Sequence, residues 1–207
     1  VADTIRHIIA VSVNDDGMTF DASSIEAREI REAQEYGGIR VKLVAFLGNA
    51  RIPMQIDVGF GDAVTPAAQI QPFPTLLDMD APQLRMYPPE TVIAEKVEAA
   101  VRLGMTNSRM KDYFDLLVLL RDENMAHERV VDALTATFQR RKTPPPAEVP
   151  PGLSDDFGRD ERASRLWREF LRRMEIDDMP TDFIAVVTEL RDHIWPLLVK
   201  ARNRQES

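Results

Sequence analysis

The sequence predicts an α+β fold, with strands first and helices after. Residues 52–62, IPMQIDVGFGD, place Ile52, Met54, Ile56, Val58 and Phe60 on one face. Pro53, Gln55, Asp57 and Gly59 fall on the other, the period-two alternation of a strand with one face in a core. From residue 88 onward the apolar spacing is helical instead. The 207 residues, 44% of them hydrophobic, suffice for one full core with a smaller helical appendage.

Residues 3–12 open on a helical pattern, with Ile5, Ile8 and Ile9 on one face and Asp3 or Thr4 as N-cap. NDDG at 14–17 is a turn, and 18–31 supply one or two strands. RVKLVAFL (40–47), GNA and RIPMQIDVGF (51–60) predict a hairpin. The proline-rich stretch 63–89 reads as loop with short pieces. PPETVIAEKVEAAVRLG (88–104) has prolines at its start and glycine at its end, as a helix should. Further helices are predicted at 108–122, 126–141, 158–175 and 181–202, with Pro196 kinking or ending the last. TPPPAEVPPG (143–152) reads as an extended linker. The expected division is 1–87, a sheet domain; 88–142, a helical segment; and 143–207, the linker and C-terminal helices.

The absence of cysteine excludes a disulfide frame and thiolate metal sites, and it fits a cytoplasmic protein. No apolar run approaches the ~18 residues of a membrane span, and nothing resembles a signal peptide. A net charge of −8 argues against a broad, sequence-blind nucleic-acid binder.

Three places break the local pattern. Asp57 sits mid-strand, where aspartate is depleted. It is either a solvated residue on an open sheet face or an oxygen ligand for Mg²⁺, with Gly59 clearing space beside it. Asp62 beyond the strand is a ligand, a turn former or a cap, with a turn or supporting role the preferred reading. Lys96 lies among Val92, Ile93, Ala99, Ala100 and Leu103, at the centre of an apolar stripe that excludes Glu90, Glu95 and Glu98. Either its head snorkels to water, or it enters a cleft to meet an anion such as phosphate. Asp112 lies within ~40° of Leu116 and ~20° of Leu119 on its helix, with Asp115, Arg109 and Lys111 nearby. A first-turn aspartate also suits the helix dipole.

Other candidates carry less. Asp78-Met79-Asp80 sits in a proline-bounded loop, Gly37-Gly38 precedes a strand, and His7, His127 and His193 have no ligand spacing. No phosphate-binding G-x-x-x-x-G-K-[ST] is present. Asp21, Ser23 and Ser24 lack a partner base for a hydrolase triad. Arg162, Arg165, Arg168 and Arg172 share one helical face, read as solvated or as an RNA-phosphate surface. QRRKT at 139–143 is a second small basic cluster.

The stretches IPMQIDVGFGD, YPPETVIAEKVEAAVRLG and NSRMKDYFDL resemble the AbiEii/AbiGii-type nucleotidyltransferase toxins, a branch of the DNA-polymerase-β-like nucleotidyltransferases. FQRRKTPPP and the Trp-containing helix ending REFLRR fit as well, so the resemblance spans nearly the whole chain. It implies a partial nucleotidyltransferase-type sheet packed with helices, then a helical C-terminal region. It implies that Asp57 is the second-motif acid and metal ligand, that Lys96 is the third-motif lysine, and that Asp112 is the fourth-motif acid. Lys96 and Arg109 would contact the nucleotide. Mg²⁺ and an NTP are the implied cofactor and substrate, an RNA such as tRNA the acceptor, and an antitoxin protein the partner.

Two departures stand out. The family's first motif, a Gly-rich turn before a strand with a D-x-D pair, has no counterpart here. The expectation is that it lies upstream of Val1 and that the chain is inactive without it. Arg102 falls six residues after Lys96, where many members place an arginine at seven. The competing expectation is a non-catalytic scaffold, or an RNA- or partner-binding domain, on the same fold. It predicts Asp57 and Lys96 far apart or paired with other side chains.

Overall fold

The computed structural model describes residues 1–13, 15–30, 37–76 and 78–206. Asn14 of the expected NDDG turn and Arg31 at the end of the expected strand region lie outside them. The chain divides into two compact units, 1–62 and 63–207.

In the first unit, helix α1 (Ala2–Ile9) is followed by strands β1 (Met18–Ile30), β2 (Gly38–Leu47) and β3 (Ala50–Gly59). They form an antiparallel sheet in the order β1-β2-β3. Gly48 and Asn49 make the two-residue turn of the β2–β3 hairpin, with Gly48 at a φ of 55°. Glycine at the first central position lets the turn follow the strands' twist. The turn fixes the register. Val41 faces Ile56, Leu43 faces Met54 and Ala45 faces Ile52, so one face is apolar throughout. Val41 and Leu43 are buried there with Ile25 and with Ile5 of α1.

β1 is one strand interrupted by a bulge between Asp21 and Glu26. The polar triplet there is structural. The Ser23 amide and hydroxyl donate to Asp21 Oδ1 at 2.9 and 2.6 Å. Ser24 Oγ donates to the Asp21 carbonyl and accepts from the Val44 amide at 2.8 Å. A side chain thus satisfies a ladder amide that the bulge would otherwise orphan.

The second unit starts with a small antiparallel hairpin, β4 (Gln69–Pro72) and β5 (Gln83–Met86). Every residue of β4 is exposed, so no alternation marked it within the proline-rich stretch. Helices α2 (Pro89–Leu103), α3 (Met110–Leu120) and α4 (His127–Arg140) follow, then α5 (Asp155–Arg159), α6 (Glu161–Met174) and α7 (Phe183–Glu206). Pro89 opens α2 and Gly104, at a φ of 51°, closes it. The helix expected over 158–175 is preceded by a separate turn, α5, because each segment has its own cap. Ser154 Oγ accepts from the Phe157 amide and Asp160 Oδ1 from the Ala163 amide.

α7 does not end at Pro196. Ile194, Leu197, Leu198 and Ala201 are buried on either side of the proline, and that packing outweighs one lost backbone hydrogen bond. At the centre of the bundle, Tyr113, Phe157, Phe183 and Trp167 meet with ring centroids 5.4–5.7 Å apart. The proline-rich segment ends in a tight turn, Pro151–Leu153, with Gly152 and Leu153 buried. Tyr113 donates its hydroxyl to the Gly152 carbonyl at 2.9 Å, and Asn107 donates to the Tyr113 oxygen at 3.2 Å.

Two acids off the apolar stripe of α2 are nonetheless buried, Glu90 at 4% exposure and Glu98 at 0%. Glu98 receives Arg141 at 2.8 Å, Thr143 at 2.7 Å and Arg102 at 3.3 Å. Arg141 and Thr143 of QRRKT therefore compensate a buried carboxylate. Arg102 has a structural partner as well.

A methyl group added at Gly152 would stand 2.3 Å from the Ala100 carbonyl oxygen, a backbone atom that cannot swing away. Gly152→Ala should cost about 2–4 kcal/mol. Urea unfolding followed by helical circular dichroism measures this, and an unchanged midpoint would contradict the packing described.

Candidate functional site

Lys96 projects from the middle of α2 towards the first turns of α3. Its side chain is only 15% exposed. It does not snorkel to water. Its ammonium donates to Asp112 Oδ1 at 2.6 Å and lies 2.8 Å from Asp115 Oδ2. Asp112 and Asp115 are three residues apart, so both carboxylates project towards α2 one turn apart. Lys111 holds Asp115 from the solvent side at 2.7 and 2.9 Å. Arg109 Nε lies 2.6 Å from Asp112 Oδ2. That oxygen nevertheless receives no hydrogen bond, so the contact is an ion pair without directional bonding. Two carboxylates and three cations thus form one cluster, with Lys96 innermost.

The start of α3 is placed by Asn107, whose Oδ1 accepts the Arg109 amide at 2.9 Å while its amide group holds Tyr113. Burial pushes the Tyr113 hydroxyl well above its ordinary value, so it stays a neutral donor. Burial alone would lower the Lys96 ammonium, but its bonds to Asp112 and Asp115 outweigh that and raise it. Burial would likewise raise Asp115, but Lys111 and Lys96 hold it below the ordinary carboxylate value.

Asp112 also lines a cleft of about 910 Å³ between the start of α3 and the second half of α6. Arg109, Lys111, Glu169, Arg172 and Arg173 supply its other charged walls. Asp112 is 6% exposed, and its unbonded oxygen is the buried acceptor at this wall.

Asp57 lies in the other unit, on the polar face of the sheet. Arg40 stands directly opposite on β2 and grips both carboxylate oxygens at 2.8 Å. Gln55 adds a longer contact of 3.3 Å. Arg40 holds the Asp57 carboxyl below its ordinary value, chiefly through its hydrogen bonds. The room beside Gly59 is taken by the Asp62 carboxylate, which a methyl there would meet at 3.2 Å.

Mg²⁺ wants oxygen ligands, with one or two carboxylates from the protein and the rest from water and phosphate. Asp57 has the right chemistry, but its two oxygens are engaged by Arg40. Among the described residues no three His, Asp or Glu groups gather to hold an ion. As arranged, the described residues do not fit the metal.

Sequence reasoning singled out Lys96, Asp112, Arg109 and Asp57, and the structure joins the first three directly. Asp115 was noted without a role, and it is the second anion on Lys96. Arg40 was missed, although counting back from the Gly48-Asn49 turn places it opposite Asp57. Arg173 was missed because its position in the cleft depends on how α6 packs.

The family model for the nucleotidyl transferase AbiEii toxin of a type IV toxin–antitoxin system matches residues 1–189. The chain belongs to this family. Nucleotidyl transfer and an antitoxin partner are therefore properties of its family. No curated protein and no solved structure matches it. Among the described residues, no helix of this AbiEii-family chain is long and apolar enough to cross a membrane.

Replacing Lys96 with methionine leaves Asp112 and Asp115 facing each other without their shared cation. The variant should lose about 1–3 kcal/mol near neutral pH, the pair being mostly but not fully buried. The raised lysine contributes stability below its unfolded value of 10.5, lost as pH rises through its higher folded value. The lowered Asp115 contributes above its unfolded value of 3.8, lost as pH falls through its lower folded value. The gap between wild type and variant should therefore be widest between these limits and narrow outside them. A pH series of denaturant midpoints checks it, and a constant gap would contradict the pairing.

Arg40→Ala should raise the Asp57 carboxyl towards its ordinary value. Carbon-detected NMR titration of the side chain reads this directly, and an unmoved titration would mean that Arg40 does not hold it.

Proposed function

We propose that the full-length protein transfers a nucleoside monophosphate from an NTP to a hydroxyl of an RNA acceptor, tRNA among the candidates, as a cytoplasmic toxin restrained by an antitoxin. Family membership supports the reaction class. The observation that carries the residue assignment is the Lys96 ammonium shared by Asp112 and Asp115, with Asp112 in turn lining an open cleft. An isolated lysine in an apolar stripe is costly, and it is tolerated here only inside a preorganised charge cluster.

In this reading the acceptor oxygen forms a bond to the α-phosphorus of the NTP. The bond from that phosphorus to the bridging oxygen breaks, and pyrophosphate leaves. Two of the three Lys96 donors meet carboxylates, and the third is directed to phosphate. Arg109 assists from the cleft rim. Asp112 orients Lys96 through Oδ1, and takes the acceptor hydroxyl's proton only once Arg109 moves off its buried Oδ2. Asp115 keeps Lys96 charged and in place. Mg²⁺ is retained as a requirement of the resemblance, and Asp57 would serve it only after releasing Arg40.

A second reading has an observation of its own. A non-catalytic scaffold predicts Asp57 paired with another side chain, and the Arg40 pair meets that description. An assay separates the two. Full-length protein is incubated with total RNA, Mg²⁺ and each labelled NTP in turn, alongside Lys96→Ala and Asp112→Asn. Label should enter RNA with wild type and fall by about 10²–10³ in both variants. Folded wild-type protein that transfers no label from any NTP to RNA would favour the scaffold.

A further inference from the structure

The cleft carries more positive charge than the charge cluster uses. Arg109 is held beside Asp112 and Lys111 beside Asp115. Across the cleft, Arg172 and Arg173 in the last turn of α6 have no carboxylate partner among the described residues. Both are exposed. Several other arginines of this unit are paired. Arg121 is held by Glu189, Arg129 by Glu90, Arg191 by Asp155 and Arg204 by Glu128. Arg162, Arg165 and Arg168 extend the unpartnered array along the exposed side of α6.

Unpaired guanidinium groups at the rim of an open cleft suit an anion with several oxygens, because the planar fork matches phosphate. One wall of the cleft carries Arg109 and Lys111, and the other Arg172 and Arg173. The cleft therefore presents cations suited to phosphate on both walls. A sugar–phosphate backbone carries phosphates in succession. Leu166 and Phe170 add an apolar patch in the cleft, against which a base or sugar can rest. Glu169 also lines the cleft and opposes any anion, so binding must rest on the arginines.

We propose that this cleft is the docking site for the single-stranded sugar–phosphate backbone of the RNA acceptor, with phosphates on Arg172 and Arg173. That the bound RNA is the acceptor rests on the nucleotidyltransferase reading; the phosphate contacts do not.

The test is binding of a short fluorescein-labelled single-stranded RNA to full-length protein, by anisotropy across a salt series. Arg172→Ala/Arg173→Ala should weaken binding on the order of tenfold and reduce the salt slope by about 1.4, the share of two phosphate contacts on a single strand. Arg162→Ala/Arg165→Ala removes the same charge outside the cleft and should weaken binding by much less. Affinity for NTP, followed by isothermal titration, should be unchanged in the first variant. Thermal melts confirm folding, since neither pair of side chains is buried. Unchanged RNA affinity and slope in the first variant would overturn the proposal. Equal losses in both double variants would overturn it too, by placing RNA diffusely along α6. Lost NTP affinity in the first variant with RNA binding retained would assign the cleft to the triphosphate instead. RNA binding that depends on Arg172 and Arg173, in a protein that transfers no label, would sink the enzyme reading while leaving this site standing.

Discussion

The contact on which the helical unit's chemistry depends is the ammonium of Lys96 shared by two carboxylates of the next helix. Removing a cation from water in the middle of an apolar stripe is expensive. The cost is offset only if the partner carboxylates are brought to it in good geometry. That requirement fixes how the first turn of α3 meets the middle of α2. The hydrogen bonds around Asn107 and Tyr113 serve the same end. They tie the start of α3 to the Pro151–Leu153 turn, and hence to the aromatic centre of the bundle. The charge cluster is as rigid as the core beneath it, which is what electrostatic preorganisation needs.

Much of this was legible in the sequence, for definable reasons. The strand alternation of 52–60 and the glycine turn before it fixed the hairpin, because a two-residue loop leaves one register. Lys96 stood out because a helical wheel places charge where only apolar groups belong. What was not legible depended on packing between segments distant in sequence. Glu98 lies off the stripe, yet it is buried because Arg141 and Thr143 come back to cover it. The break between α5 and α6 depended on two caps within a polar stretch, a weaker signal than hydrophobic period. β4 and β5 bury almost nothing, so no alternation announced them.

Asp57 shows the limit of reasoning from an anomaly. A carboxylate in mid-strand has two explanations, a ligand role or a cross-strand pair. The register now supplies a complete local explanation of the second kind. Arg40 and Asp57 are directly opposed, and opposite charges in that position stabilise a sheet modestly. A bidentate pair 43% exposed on both sides is nevertheless a reversible one, since water can replace either partner. The structural role therefore explains why aspartate is tolerated there, and a ligand role would require Arg40 to let go of both oxygens.

Net charge is a poor guide to where a protein meets an anion. The chain is acidic overall, at −8. Charge of both signs is unevenly spread along the chain, so the average says little about the local field. Screening over about 8–10 Å makes the field near a surface depend on the few closest groups. At the end of α6 those groups are Arg172 and Arg173, without carboxylate partners among the described residues, facing a cleft whose other wall holds Arg109, Lys111 and Asp112. An acidic protein with a local basic cleft can bind nucleic acid there in spite of its net charge. That arrangement favours a chosen orientation over indiscriminate binding, as the proposed transfer to one hydroxyl of an RNA would require.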